Sequence, residues 1–535
     1  MTAIKKQKNM GGENIYSSGA KPGFTDYAIA AFSGAALALS FQDFGLWPLA
    51  WVGMAPLLFV LRGKAIHFGA TLGFTAGIFF SGPTFTWLSN TMTDYGHMPV
   101  WLAGAVNILA IMYISLFLAI FAYLVCRIDK KIGGDMALAA APFLWVGLEL
   151  VRTQAPPFAF PWARIADSQF NVLPVIQIAD FAGEEGLGFL IIFVNSALAA
   201  ILIWMADGKK SWSRFPVRWA ALCVMLIAAT ISYGYLQLDS FKKVEGRKIA
   251  VALIQGNVDQ SRKWERSYRK KQLDIYINRT IKAGEQGAQL VVWPETAAPF
   301  YFGSDRLNDK LILNLVKTVG APIIFGAPAS INNGAKTLSY NRAWIVRPDG
   351  YRAKYDKIHL VPFGEYVPLR KLLFFVNKMV TAIGSLEPGD DLTLLDAGDY
   401  KVGAQICFEI IFPAYSRRLA ADGAGVIVNI TNDSWFGKSA ASSQSLAMAV
   451  FRAVENRIPV LRAAQSGVSA IISKTGRITG RTKLFTETTV LGEISLRNGP
   501  ATYYTQWGGL FPWFCLAVSI LFFGFTINLK RKEPE

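Results

Sequence analysis

Histidine and cysteine are scarce in this chain of 535 residues, which holds three of the first and four of the second. His67, His97 and His359 share no ligand-like spacing with one another or with the cysteines. No zinc or haem pattern is present, and neither a metal nor another cofactor is expected. Cys126, Cys223 and Cys515 lie in or at the end of strongly apolar stretches, which argues against a disulfide framework. Charge is scarce too. Charged residues make up 17% of the chain against 52% hydrophobic, which is too apolar for an ordinary soluble protein and points to a membrane. A net charge of +17 invites a nucleic-acid reading, but much of the basic excess sits in short loops between apolar runs, where membrane topology explains it better. No nucleic acid is expected as a partner. Internal repeats and low-complexity tracts are absent as well.

What the chain does have is long apolar runs. A helix crossing a bilayer needs about 20 such residues. Candidates are 27–42, 47–62, 66–89, 100–126, 136–151, 187–206, 217–236 and 507–528, the first, second and fifth being short. Eight spans put both termini on one side. The first run follows a polar segment without a small-residue cleavage site, so it reads as an anchor and not as a removed signal peptide. Loop charges agree with this count. Lys5, Lys6, Lys8 and Lys21, then Arg62 and Lys64, then Arg127, Lys130 and Lys131, then Lys209, Lys210, Arg214 and Arg218, and finally Lys530, Arg531 and Lys532 all fall on one side. The alternate loops 43–46 and 90–99 carry no Lys or Arg, and in 152–186 acids outnumber Arg152 and Arg164. The positive-inside rule then makes both termini cytoplasmic.

The expected organisation is a cytoplasmic segment 1–26, spans one to seven in 27–238, an extracytoplasmic domain 239–505, span eight in 506–529 and a cytoplasmic tail 530–535. The domain shows strand-like runs at "KIAVALIQGN", "AQLVVWPETA", "APIIFGAPAS", "NRAWIVRPDGYRAKY", "KVGAQICFEI", "GVIVNITND" and "GVSAIISKTGRITG". Helix-compatible stretches lie between some of them, notably 261–286 and 440–457, so the expected fold is a polytopic α-helical membrane domain plus an α/β domain. Gly69, Gly73 and Gly77, spaced by four, suit close helix packing. The Pro-rich aromatic loop 152–186 either shapes a lipid entrance at the interface or is a surface connection.

Three residues of the domain occupy notable settings: Glu295 in "LVVWPETAAPF", Lys357 in "YDKIHLVPFGEYVP" and Cys407 in "AQICFEIIFP". Each has a bland reading alone: a loop acid, a surface lysine, a core thiol. Together they make chemical sense. A thiol needs a base or a nearby cation for activation. Glu295 suits the base, and an ammonium from Lys357 suits the thiolate and the oxyanion of a tetrahedral intermediate. Such a site runs acyl transfer without histidine, and His359 is the one histidine in the domain.

These segments, in this order and spacing, resemble the three signatures of the nitrilase superfamily. With several spans before the domain and one after it, the chain resembles the membrane-embedded branch of that superfamily, the bacterial apolipoprotein N-acyltransferases, over nearly its whole length. "ALIQGNVDQSRKW", "NITNDSWFG" and "RAVENRIPVLRAAQSGVSAII" extend the match. The resemblance implies a nitrilase-like αββα sandwich and a Glu295–Lys357–Cys407 triad forming an acyl-enzyme thioester. It further implies a phospholipid donor, commonly phosphatidylethanolamine, and as acceptor the α-amino group of a diacylglyceryl-cysteine on an apolipoprotein. The place would be the bacterial inner membrane, with a periplasmic catalytic domain and a monomeric enzyme. It also carries supporting roles to Glu365 in "PFGE", to Glu409 beside Cys407, and to Trp264 in "SRKW" as an aromatic that gates or binds lipid. One departure stands out: Ser445 occupies a position where many relatives have histidine.

Two apolar stretches, 297–303 and 369–384, suit mobile arms that dip into the bilayer interface, with ordinary core as the other reading of the first. The rival activity is a membrane-anchored amidase that hydrolyses a small amide with the same three residues, though one anchor would serve it. The non-enzymatic rival is a transporter or lipid-binding scaffold, which the few ionisable residues at mid-span disfavour.

Overall fold

A computed structural model describes residues 20–528 except 42–43, 97, 155–158, 208–215, 244–245, 260–261, 264, 333, 335, 363 and 367–385. Its N-terminal part is helical: α1 (Phe24–Leu39), α2 (Ala55–Leu61), α3 (Ile66–Thr84), α4 (Trp87–Asn90), α5 (Val100–Lys131), α6 (Gly134–Gln154), α7 (Leu173–Ile176), α8 (Ala179–Ala206) and α9 (Val217–Lys243). The expected apolar runs fall on helical segments, though not all of these are of spanning length. Among the described residues α5, α6, α8, α9 and a later helix within Leu510–Ile527 are long and apolar enough to cross a membrane. α1 and the Trp47–Leu61 segment are shorter, and α3 has 19 residues. The second expected run is not one helix: a 3-10 turn at Trp47–Trp51 precedes α2, whose start carries a proline where its missing N–H costs nothing. α8 is bent at Gly183, whose φ of 69° breaks the helical path ahead of the span expected from residue 187.

The glycine stripe does what its spacing suggests. A Cβ on Gly73 would lie 2.3 Å from the Leu118 carbonyl oxygen and one on Gly77 2.6 Å from Ser115 Cα, so α3 rests directly on the backbone of α5. The outward faces stay apolar: Trp101 and Leu109 on α5, and Val224 and Leu236 on α9, are exposed, as suits contact with lipid.

The second part is a four-layer sandwich. Sheet one runs β12 (Thr488–Ser495), β1 (Lys248–Gln255), β2 (Leu290–Val292), β3 (Ile323–Asn332), β4 (Thr337–Val346), β5 (Arg352–Asp356). Sheet two runs β11 (Ile478–Arg481), β10 (Ala470–Ile472), β9 (Val460–Ala464), β8 (Val426–Thr431), β7 (Lys401–Ile406), β6 (Leu394–Asp396). Each has three parallel strands inside antiparallel flanks, β1–β3 in one and β7–β9 in the other. Their inner faces meet through Val251, Val292, Ile345, Val402, Val428 and Leu461, all fully buried. α10 (Arg266–Glu285) and α11 (Arg306–Val319) cover the outside of sheet one, while α12 (Pro413–Ala421) and α13 (Ala441–Asn456) cover sheet two. α14 (Tyr503–Trp507) and α15 (Leu510–Asn528) end the described chain. The seven expected strand runs are all present, and the two expected helices form α10 and α13. β6, β9 and β12 were not expected.

α12 and α13 also face the membrane helices, and one apolar core runs through both parts. Charge reinforces the junction. Arg452 on α13, fully buried, donates to Glu184 at 2.8 Å and Glu455 at 3.0 Å, and Arg457 reaches Asp180 at 2.6 Å. The described part of the 152–186 loop is no surface connection. Trp162 is 1% exposed, stacks toward Phe408 with centroids 6.4 Å apart, and donates to Gln444 at 2.6 Å. Of the two stretches proposed as arms, 297–303 is mostly core, with Ala297, Ala298, Phe300 and Phe302 buried and Tyr301 exposed. The other, 369–384, lies outside the described residues.

Candidate active site

Glu295 stands three residues beyond β2, in a turn that few sequences tolerate. Its neighbour Thr296 has φ 48°, the left-handed region, which is strained for a β-branched residue. β3 passes close beneath: a Cβ on Gly326 would come within 2.4 Å of the Thr296 nitrogen, so glycine is required there. The Gly326 N–H donates to the Pro294 carbonyl at 3.1 Å, which seats the turn. Both carboxylate oxygens of Glu295 are held. Asn341 on β4 donates from Nδ2 to Oε1 at 2.6 Å, and the backbone N–H of Asn432 donates to Oε2 at 2.8 Å.

Lys357 follows β5 by one residue and is 1% exposed. Its N–H donates to the Asn341 carbonyl at 2.9 Å, so one residue fixes both the lysine backbone and the glutamate side chain. The ammonium lies 2.8 Å from Glu365 and 3.8 Å from Glu295. Burial alone would lower its pKa, but the Glu365 and Glu295 carboxylates outweigh burial and hold it well above the usual lysine range. It is a fixed cation.

Cys407 begins a 3-10 turn, Cys407–Ile411, immediately after β7, with φ 53°. The apolar run therefore stops being strand at the thiol itself. This sharp exit leaves the half-buried thiol at the C-terminal end of β7. Burial pushes the thiol up to about 12; the Glu295 carboxylate adds to the rise, while the Lys357 ammonium and a hydrogen bond from the Thr431 side chain oppose it. Cys407 is a thiol at neutral pH, and its proton must leave in the course of reaction.

Glu409 touches none of these reacting groups. One oxygen accepts from Tyr355 Oη at 2.7 Å and from the N–H groups of Ile358 and His359 at 2.8 and 3.1 Å, and the other accepts from Ile406 N at 2.7 Å. It ties the turn carrying Cys407 to the loop carrying Lys357. Burial raises its pKa, against the lowering by the Ile406 N–H and the Lys357 charge. His359 is neutral, lowered to about 4 by burial and then by Lys357, and packs on Phe412 with ring centroids 3.9 Å apart. Trp264 lies outside the described residues.

Several members of this arrangement had no signal as isolated residues. Asn341 donates also to Glu365, at 3.1 Å. Below the thiol, fully buried Arg462 grips both oxygens of Asp433 at 2.9 and 2.8 Å, and Asp433 accepts from Thr431 at 2.8 Å. Asn432 and Asp433 sit in the quoted "NITND" run, and polar residues at the end of an apolar strand were the available hint. A carboxylate, an ammonium and a thiol thus converge at the C-terminal ends of strands from two sheets, an arrangement able to form and discharge a thioester.

Comparison with known proteins adds an independent line. Residues 250–504 match the carbon-nitrogen hydrolase family model, and residues 33–197 match the model of the apolipoprotein N-acyltransferase N-terminal domain. The chain is 41% identical over 494 residues to the apolipoprotein N-acyltransferase of Geobacter metallireducens, covering 92% of this chain and 93% of that protein. It is 30% identical over 519 residues to that of Pseudomonas syringae pv. tomato, covering 96% and 98%.

Proposed function

The chain belongs to the apolipoprotein N-acyltransferase family, and from that premise we propose that it moves an acyl chain from a membrane phospholipid, through a thioester on Cys407, to an apolipoprotein. The acceptor is the α-amino group of the N-terminal diacylglyceryl-cysteine. The observation that carries the reading is the convergence of Glu295 and Lys357 from one sheet on Cys407 from the other.

Glu295 takes the thiol proton as Sγ attacks the ester carbonyl, and the resulting oxyanion is met by the Lys357 ammonium. The C–O bond breaks, the proton returns to the leaving oxygen, and lysophospholipid departs. The acceptor amine then attacks the thioester. Glu295 accepts its proton and passes it to the departing Cys407 sulfur, leaving an amide and the resting enzyme. A permanently charged Lys357 suits both tetrahedral intermediates. Glu365 holds that ammonium in place, Glu409 positions the two loops, and Trp264 gates or binds the lipid. No step needs a metal or cofactor.

The donor is phosphatidylethanolamine, the enzyme works as a monomer, and it resides in the bacterial inner membrane. The catalytic domain, 239–505, faces the periplasm between spans in 27–238 and 506–529, with both termini, 1–26 and 530–535, in the cytoplasm. Hydrolysis of a small amide by the same three residues is the less supported reading, because the match to the N-terminal domain model covers the helical part such an enzyme does not require.

The test is intact mass spectrometry of the full chain in detergent micelles with phosphatidylethanolamine. A gain of one acyl chain is expected, absent from Cys407→Ala and discharged by a diacylglyceryl lipopeptide. No adduct, or discharge by water as fast as by lipopeptide, counts against the reading.

A further inference from the structure

Lys263 is not among the residues assigned above, yet it lies against the base. It sits in the loop leaving β1 and is 0% exposed. Among the described residues, Lys263 and Lys357 are the two lysines below 2% exposure. Their surroundings differ. Lys357 has two carboxylates within 4 Å, whereas Lys263 has none among the described residues. Its ammonium instead donates to the Thr296 hydroxyl and, at 3.4 Å, to the Glu295 carbonyl oxygen.

Burying an ammonium without an adjacent counter-ion costs several kcal/mol, and a methionine would fill the same space without that cost. The charge therefore needs a reason. Burial lowers this lysine to about 8, with the Glu295 carboxylate pulling the other way. The turn it touches is the strained one. Thr296 is held at φ 48°, and such a conformation persists only when its surroundings over-determine it. Among the described residues the contacts that do so include Gly326 beneath, Gln272 donating to the Ala297 carbonyl at 3.0 Å, and Lys263 on the Glu295 carbonyl and Thr296 hydroxyl. The last brings charge.

We propose that Lys263 is a positioning residue that pins the left-handed turn at Thr296 and keeps the Glu295 carboxylate aimed at the Cys407 thiol. The proposal rests on the reading of Glu295 as general base.

The experiment follows thioester formation from phosphatidylethanolamine by the full chain in micelles, by timed intact mass spectrometry at pH 7. The folded fraction is read from thermal unfolding in the same micelles. Lys263→Met is expected to slow acylation at pH 7 by about tenfold or more and to leave KM for phospholipid unchanged. Lys263→Arg restores most of the rate. In a Thr296→Gly background, where φ above zero is free of strain, Lys263→Met costs less than it does alone. Acylation by folded Lys263→Met at the wild-type rate overturns the proposal. A slowed variant with no rescue by Arg, or one whose loss is as large in the Thr296→Gly background as alone, also overturns it. If the wild-type enzyme itself forms no thioester, the acyl-transfer reading falls first and takes this proposal with it.

Discussion

Asn341 donates its side-chain amide to Glu295 at 2.6 Å, closer to that carboxylate than the Lys357 ammonium at 3.8 Å. The base is therefore oriented by a neutral partner and is not locked in a tight ion pair. Asn341→Leu frees Glu295 on that side and removes the link to Glu365. Thioester formation is expected to fall about 100-fold, with little change in KM for phospholipid. Asn341→Asp, which sets a third carboxylate beside two others, is expected to fall further. Single-turnover mass spectrometry checks both, and a rate within threefold of wild type for Asn341→Leu would show that the contact is idle.

The raised pKa of Cys407 predicts how its alkylation responds to pH. Its resting form is the thiol, and the thiolate fraction grows about tenfold per unit until pH approaches the value of about 12 set by burial and Glu295. Iodoacetamide labelling of Cys407 is thus expected to climb without a plateau from pH 7 to 9.5. A plateau near pH 8.5 would mean that the thiol titrates as an ordinary cysteine, without the burial effect described. The folded form binds this proton more tightly than an unfolded chain, so the contribution to stability is full below the ordinary thiol pKa. It is lost as pH rises toward 12.

The junction between the two parts makes a third prediction. Arg452 serves Glu184 and Glu455 at once, and Arg164 also reaches Glu184. Arg452→Met strands Glu455 without a cation and is expected to destabilise the protein by about 3–5 kcal/mol. Adding Glu455→Gln is expected to recover most of that loss, because Glu184 keeps Arg164. Thermal unfolding in micelles measures both, and limited proteolysis reports whether the catalytic part loosens from the helices. Additive losses in the double variant would refute a shared network.

The triad and its support were legible to different degrees, for physical reasons. Glu295, Lys357 and Cys407 are reactive residue types in unusual local settings, and seven strand runs and the long apolar helices showed in the pattern of apolar residues. β6 and β10 have three residues each, too short for a pattern, and only the run containing β10 was noticed. β9 reads "VLRAA", with a charged residue mid-strand, because Arg462 is buried against Asp433. Asn341 and Lys263 look like surface residues in sequence and acquire meaning only when the fold brings both against Glu295. For the loop around Trp162 the sequence leaves a lipid entrance and a surface connection open, since proline-rich composition conceals burial between two layers.

β12 pairs along its whole length with β1, from Lys248 opposite Ser495 to Gln255 opposite Thr488. The first strand of the catalytic sandwich therefore waits for the last, some 230 residues of synthesis later by the register just given. Until that partner arrives, β1 has one open edge and the loop bearing Lys263 leaves from an unfinished sheet. Sheet one is closed only as the chain passes on to its last apolar helix, α15, which begins 15 residues after β12 ends.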